Sequence, residues 1–400
     1  MGDSQIPKDP EALSAFIAHH TAKYTAKLKE GINVEEEINL ISASCRALQA
    51  SVNVPEDWTN EVAWGFSASI AISLILDMGI EKMISSEGSP TSLEDLVELT
   101  GGSRALIKCA MTQCVFYCIF DEPSPEAYQH NARSRCLLNR GFADWIHYSV
   151  DDGLRSGSNI GKYARLNKFQ IPDTRHKTAF QMAFETDQSM YLYYHEEDKV
   201  RGARFDSAMN NDYDEQLFRP IESVFDFGHL SPDALVVDVG GGKGHHAIRL
   251  AGKNPQMSFI VQDFQAKTPP MNHASSESTL ERMKWQQHDF FTTQPVIGAS
   301  LYLLSRIFMD HPNDDCREIV KKIADAMTPN ESILLVDDFI ENTVVPVKTN
   351  ALNLHIIASF GRPFRTMKEW EDLFSAANAN LKIDQSWLFE SGRAVFKLMK

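Results

Sequence analysis

The stretch Leu235-Val236-Val237-Asp238-Val239-Gly240-Gly241-Gly242-Lys243-Gly244-His245 organises the rest of the chain. Its first five residues are a short, mostly β-branched run of the kind that forms a buried strand. The glycines that follow supply backbone able to turn through left-handed conformations and to let a ligand come close to main-chain amides. Apolar spacing resumes as a helix from about His245 to Ala251, so bare N–H groups collect at a helix N-terminus. A dinucleotide fingerprint would need glycine at 245, where this chain has His245, and the loop reads GxGxG through Gly240, Gly242 and Gly244. Asp238 stands just before the loop, placed to orient it or to reach a ligand amine. Asp263 ends the next apolar run, where a carboxylate is suited to the two hydroxyls of a ribose. Asp289-Phe290 follows a third run and pairs an acceptor with an aromatic face for a purine.

Downstream of the loop, strand-like runs at 258–263, 285–289, 299–304 and 332–337 alternate with helical patterns at 275–283 and 313–327. That alternation predicts an α/β fold with a parallel sheet covered by helices on both faces. A helix over 366–378 and two strands near 381–389 and 393–399, joined by Glu390-Ser391-Gly392-Arg393, close the chain. Upstream the reading is helical: 11–29, 35–50 and then helices only from Trp64 to about Cys118. The run from Thr91 to Tyr117 looks like helix–turn–helix, with Gly101-Gly102 as the turn and Thr91 or Ser92 as the cap. The expected division is a helical domain at 1–165 and an α/β domain at 166–400, with helical material between about 175 and 225 bridging them.

Composition narrows the function classes. The 400 residues carry 39 basic and 54 acidic side chains, a formal charge of −15. A nucleic-acid or anionic-membrane role needs concentrated positive charge, which this balance opposes. The second helix of the helix–turn–helix offers only Arg104 and Lys108 to phosphates, so a dimerisation or lid role is expected of it. Six cysteines are too sparse for a disulfide framework and lack zinc spacing. No apolar signal region opens the sequence, and the longest apolar stretch, near Ala68–Leu76, is short for a membrane span. A cytoplasmic protein is expected.

From about residue 60 onward, the glycine loop, the Asp263 strand end, the segment around Arg306 and the closing strand pair together resemble the class I S-adenosylmethionine (SAM) methyltransferases. More narrowly, they resemble the small-molecule O-methyltransferases of plants and fungi. The resemblance implies a Rossmann-like sheet joined to an all-α, winged-helix-like N-terminal dimerisation domain, with interlocked homodimers and a small-molecule substrate. It implies SAM as cofactor, held by Asp238, Gly240, Gly242, Asp263, Asp289, Phe290 and Arg306.

The same family places a histidine base in a His-Asp-Trp run. Here the segment is Ser305-Arg306-Ile307-Phe308-Met309-Asp310-His311-Pro312, so the base position falls on Met309 and the Trp position on His311. A thioether takes no proton near neutral pH, and the rate factor of about 10²–10⁴ typical of positioned proton transfer is missing. A family acid ahead of the last large helix is replaced by Phe364, in Arg362-Pro363-Phe364-Arg365-Thr366. The other family acid falls on Asp337, with Asp338 beside it.

Loss confined to proton transfer resembles the methyltransferase-like pericyclases of fungal 2-pyridone pathways. Such an enzyme would steer a dehydration and a pericyclic step (hetero-Diels–Alder, Alder-ene or a related mode) of a quinone methide, with SAM bound but not consumed. Alternatives are an ordinary O-methyltransferase with a displaced base such as His147 or His311, and a non-catalytic metabolite-binding regulator. Candidate catalytic or pocket residues are His147, Met309, Asp310, Asn353 and His355. Phe180, Phe184, Met190 and Tyr194 would form either an apolar substrate wall or plain core.

Overall fold

A computed structural model describes residues 6–86, 88–172, 177–209, 221–265, 277–341, 347–378, 380–389 and 391–400. The sequence-expected helix at 275–283, the bridging segment at 175–225 and the Glu390 turn each lie partly outside these residues. The chain divides into two compact units, Met1–Ser134 and Arg135–Lys400. This division precedes the one expected near 165. The helices Arg140–His147 and Ile160–Leu166 belong with the second unit, because they pack on its helices Lys199–Met209 and Ala179–Phe184.

The first unit opens with the paired helices Pro10–Lys29 and Glu35–Val52. By length and composition Pro55–Met78 would suffice to cross a membrane, with mean hydropathy 1.4. The helix breaks at Trp64–Gly65, and its second half, Phe66–Met78, packs on the helix Arg104–Phe116. The helix–turn–helix forms as read. Ser92 and Asp95 make a capping box for Leu93–Thr100, and Gly101 at φ 66 ends that helix in the left-handed conformation.

Strands missed by the sequence reading follow: β2 (Phe120–Ser124) and β3 (Ala127–His130) form a hairpin that pairs with β1 (Thr91–Ser92) in the order β1-β3-β2. The unit is therefore winged-helix-like but not all-α. Arg104 pairs with Glu94 at 3.1 Å and with Glu126 at 2.6 Å, and Lys108 also holds Glu126 at 2.6 Å. The two cations that could have met phosphate are engaged within the unit.

The second unit is built on a seven-stranded sheet: β4 (Leu235–Val239), β5 (Ser258–Asp263), β6 (Met283–Gln287), β7 (Leu301–Ser305), β8 (Ile333–Phe339), β9 (Lys382–Leu388) and β10 (Arg393–Met399). Their order is β6-β5-β4-β7-β8-β10-β9. All neighbouring pairs from β6 to β8 are parallel, whereas β10 runs antiparallel to both β8 and β9. Alternate residues feed two cores. Val237, Tyr302 and Leu304 pack with Trp370 and Phe374 on one face, and Val236, Leu301 and Leu303 pack with Ile248 and Leu250 on the other.

The chain leaves β4 towards β5 on one side, while β7 lies on its other side, so the strand order reverses between β4 and β7. The crevice beyond the strand ends at such a switch point is where open α/β sheets bind ligands. The glycine loop follows β4 and the Arg306–Asp310 segment follows β7.

Candidate active site

Each glycine of the loop has its own physical requirement. Gly240, Gly242 and Gly244 lie at φ 73, 59 and 87, a region that side chains with a Cβ rarely adopt. A Cβ on Gly240 would stand 2.6 Å from Ile307 Cδ1, and one on Gly241 2.5 Å from the Asp238 carboxyl. At Gly242 nothing lies within 4 Å, so the loop faces open space there. The Gly242 N–H donates to Asp263 Oδ2 at 3.0 Å, tying the loop to the end of β5.

Asp238 is buried, and its Oδ2 has no hydrogen-bond partner. Burial, with Asp263 nearby, raises its carboxyl to about 7. A buried carboxylate oxygen without a partner is costly unless a ligand group fills the role. Phe290 lies beside Gly240, its ring in an edge contact with His311 at 5.6 Å, and Asp289 accepts the Phe291 N–H at 3.0 Å. These residues fit S-adenosylmethionine: Asp238 for a ligand ammonium, Asp263 for ribose hydroxyls and Phe290 for an adenine face.

Beyond β7, Arg306 takes φ 57 and leads into a single 3-10 turn, Phe308–Asp310. Two buried groups of opposite charge hold that turn. Asp338 Oδ2 accepts the N–H groups of Phe308 (2.9 Å) and Met309 (3.1 Å). Arg365 donates to the carbonyls of Phe308 (2.6 Å) and His311 (2.7 Å) and to Asn313 Oδ1 (2.8 Å). Burial leaves Asp338 raised to about 6. It is thus Asp338 that reaches the base position, while Asp337 is engaged by Ser305 and Arg393. Strand alternation explains the difference, since neighbours along β8 face opposite sides of the sheet.

The side chain at the base position is apolar in its surroundings as well as in its chemistry. Met309 packs against a cluster of Phe339, Ile356 and Phe364, joined by Leu352 and Phe360. Phe364 and Phe339 stack with centroids 4.8 Å apart and planes at 10°. Both departures from the family pattern, Met309 and Phe364, therefore belong to one packed patch.

Beside that patch lies a polar group that the sequence only half disclosed. Tyr191 donates its phenol to Asp310 Oδ2, and Asp310 Oδ1 is buried without a partner. Burial raises the Asp310 carboxyl to about 8, with the Asp338 charge adding to the rise and the Tyr191 hydrogen bond and Arg306 opposing it. Tyr148 shares a 2.7 Å hydrogen bond with His355 Nε2, at the start of a π-helical stretch, Tyr148–Leu154. Such widened turns often occur at functional sites. Burial lowers His355 to about 4, which keeps its imidazole neutral and a poor base at neutral pH.

The remaining predicted residues are distributed as follows. His147 is half-buried in the last turn of its helix, next to Tyr148. Asn353 does not face a ligand with its carbonyl: Oδ1 accepts the Phe364 N–H at 2.8 Å and so holds the 361–366 segment. His311 sits against the rings of Phe290 and Phe291. Phe180, Phe184, Met190 and Tyr194 are core, packed with Tyr148 and Phe205. The sequence reading missed Tyr191 and Tyr148. Tyr191 lies 119 residues from Asp310, and no local pattern marks such a pair.

A family model for the O-methyltransferase domain matches residues 164–379. The chain is similar to the N-methyltransferase nanE of Aspergillus nanangensis, at 41% identity over 98% of each chain. It is also similar to the O-methyltransferase xanE of Aspergillus fumigatus, at 33% identity over 87% of this chain and 81% of that one. Among solved structures, LepI in complex with SAM superposes with TM-score 0.78 at 23% identity, over 96% of this chain and 99% of that one. OxaC in complex with SAH and oxaline gives TM-score 0.78 at 19% identity, over 97% and 99%. The chain belongs to the SAM-dependent O-methyltransferase family and has its class I fold, with S-adenosylmethionine as cofactor.

Proposed function

We propose that this chain is an enzyme of fungal secondary metabolism that methylates a nitrogen of a small molecule, with no histidine base. The observation that carries this reading is the apolar packing of Met309 against Phe339, Ile356 and Phe364. S-adenosylmethionine, when bound, supplies a methyl carbon on a sulfonium. A phenol or alcohol needs a base to take its proton as its oxygen attacks, whereas a neutral amine brings its own lone pair. Its proton leaves after the new bond has formed, and Asp310, in its ionised form, is a group beside Met309 able to hold it. The similarity to an N-methyltransferase over nearly the whole chain supports nitrogen as the acceptor atom.

The test is incubation of the full chain with methyl-labelled SAM and matched amine and phenol acceptors. Label is expected on the amines; label on phenols at ordinary enzyme rates would overturn the reading.

A second reading, a pericyclic or dehydrative cyclisation of a quinone methide with SAM unconsumed, is favoured by one observation. A buried Asp310 raised to about 8 is protonated near neutral pH and could donate to a carbonyl. Cyclised product formed without loss of label from SAM would select it. Both readings include a cytoplasmic homodimer. The homodimer's support is a run of exposed apolar side chains on the first unit, Val52, Val54, Val62, Trp64 and Phe66, with Trp64 and Phe66 in ring contact.

A further inference from the structure

We propose that Asp310 Oδ1 is the acceptor for a substrate N–H, and that Tyr191 is the positioning residue that keeps this oxygen, and not its twin, available. The inference rests on the nitrogen-methylation reading and names the group that orients the amine. Two observations lead to it. Asp310 carries two oxygens in one buried setting, and only Oδ2 is satisfied, by the Tyr191 phenol. An acceptor left buried and unpartnered costs about 1–3 kcal/mol, and more when charged, so the arrangement is one that a ligand donor would complete. The backbone beneath it is held independently by Asp338 and Arg365, so the carboxyl is not needed to shape its own turn.

Tyr191 is itself fixed. Its ring stacks on Phe360 at 5.9 Å and 28° and meets Phe205 edge-on at 5.8 Å. Phe360 in turn packs against the cluster that takes up Met309. The phenol therefore approaches Asp310 from the aromatic side with little freedom to swing away. Above about pH 8 Asp310 is ionised, and with Tyr191 donating to Oδ2 the free oxygen is then set to receive a hydrogen. A group with N–H satisfies it. An amine that donates one N–H here keeps its lone pair for the methyl carbon.

Binding is the readout, so methyl transfer is not required. The full chain is saturated with S-adenosylhomocysteine at about pH 9, where Asp310 is ionised, and the affinities of 4′-aminoacetophenone and 4′-methylacetophenone, which differ only in NH₂ against CH₃ and carry no other N–H, are measured by calorimetry. The parent protein should prefer the amine by about ten-fold, the scale of one hydrogen bond to a charged group. Asp310→Ala should erase that preference while leaving S-adenosylhomocysteine affinity unchanged, which also reports an intact fold. Tyr191→Phe keeps the ring stacking and should lower the ratio of the two affinities several-fold. A merely structural role would weaken both probes equally. Equal binding of the two probes, binding of neither, or a preference that survives Asp310→Ala overturns the inference. Label transferred to amines together with a ratio insensitive to Asp310→Ala sinks this inference alone. A ratio that behaves as expected without any transfer sinks the methylation reading and leaves Asp310 as the N–H acceptor.

Discussion

Replacing Phe364 by Glu and Met309 by His, singly and together, tests whether the apolar patch stands where a proton-transfer pair would. Phe364 is 3% exposed and stacked on Phe339. Removing a buried aromatic ring costs about 3–5 kcal/mol, and an unpaired carboxyl placed there adds about 1–3 kcal/mol. At roughly 2 °C per kcal/mol for a unit of this size, Phe364→Glu should lower the main thermal transition by ~8 °C or more. Met309→His should cost less, because Met309 is only partly buried at the margin of the cluster.

If the two positions face each other, the new imidazole and carboxylate pair up. The doubly substituted protein should then recover about 0.5–3 kcal/mol relative to the sum of the single effects. Thermal unfolding of the four proteins measures this coupling, and transfer of labelled methyl to a phenol is followed in parallel. An oriented base should raise phenol methylation by about 10²–10⁴ in the doubly substituted protein, and far less with Met309→His alone. A Phe364→Glu transition within about 1 °C of the parent, or strict additivity of the two changes, would refute the reasoning.

The glycine loop offers a contrast between neighbours. Gly240→Ala should lower stability more than Gly242→Ala, because both sit at positive φ but only the Gly240 Cβ also meets Ile307, and both should weaken S-adenosylhomocysteine; calorimetry and thermal melts separate the two effects. Ligand-free stability should depend on pH in a direction set by buried carboxyls. Asp238 (about 7) and Asp310 (about 8) are raised above their unfolded values, so the folded state holds protons that the unfolded state has lost. Stability therefore falls as pH rises through these values. His355, lowered to about 4, acts oppositely but only below about 6.5, which leaves pH 6.5–8 as the clean window. Thermal melts across that window should decline, and Asp310→Asn should flatten the slope. Sedimentation should show a dimer that Trp64→Asp weakens, given the 59% exposure of Trp64 beside Phe66.

The sequence alone determined the features written in nearest neighbours along the chain. The strand, glycine loop and helix at 235–251, the capping box at Ser92 and the alternation that sets the sheet are local. They depend on side-chain period and on which residues tolerate a positive φ. It also disclosed that Met309 occupies a base position, because a short motif keeps its register. It did not reveal the β2–β3 hairpin, whose polar residues carry little strand pattern.

Tertiary structure alone decided what surrounds Met309. Phe364 and Phe339 arrive from other segments, and packing turns two separate departures into one apolar patch. The same holds for Tyr191 and Asp310, which meet across 119 residues of chain. Asp337 and Asp338 were equivalent as letters and acquired different roles from the two faces of β8. Burial is a property of the assembled fold, and it is burial that raises Asp310 to about 8 and leaves one of its oxygens waiting for a donor.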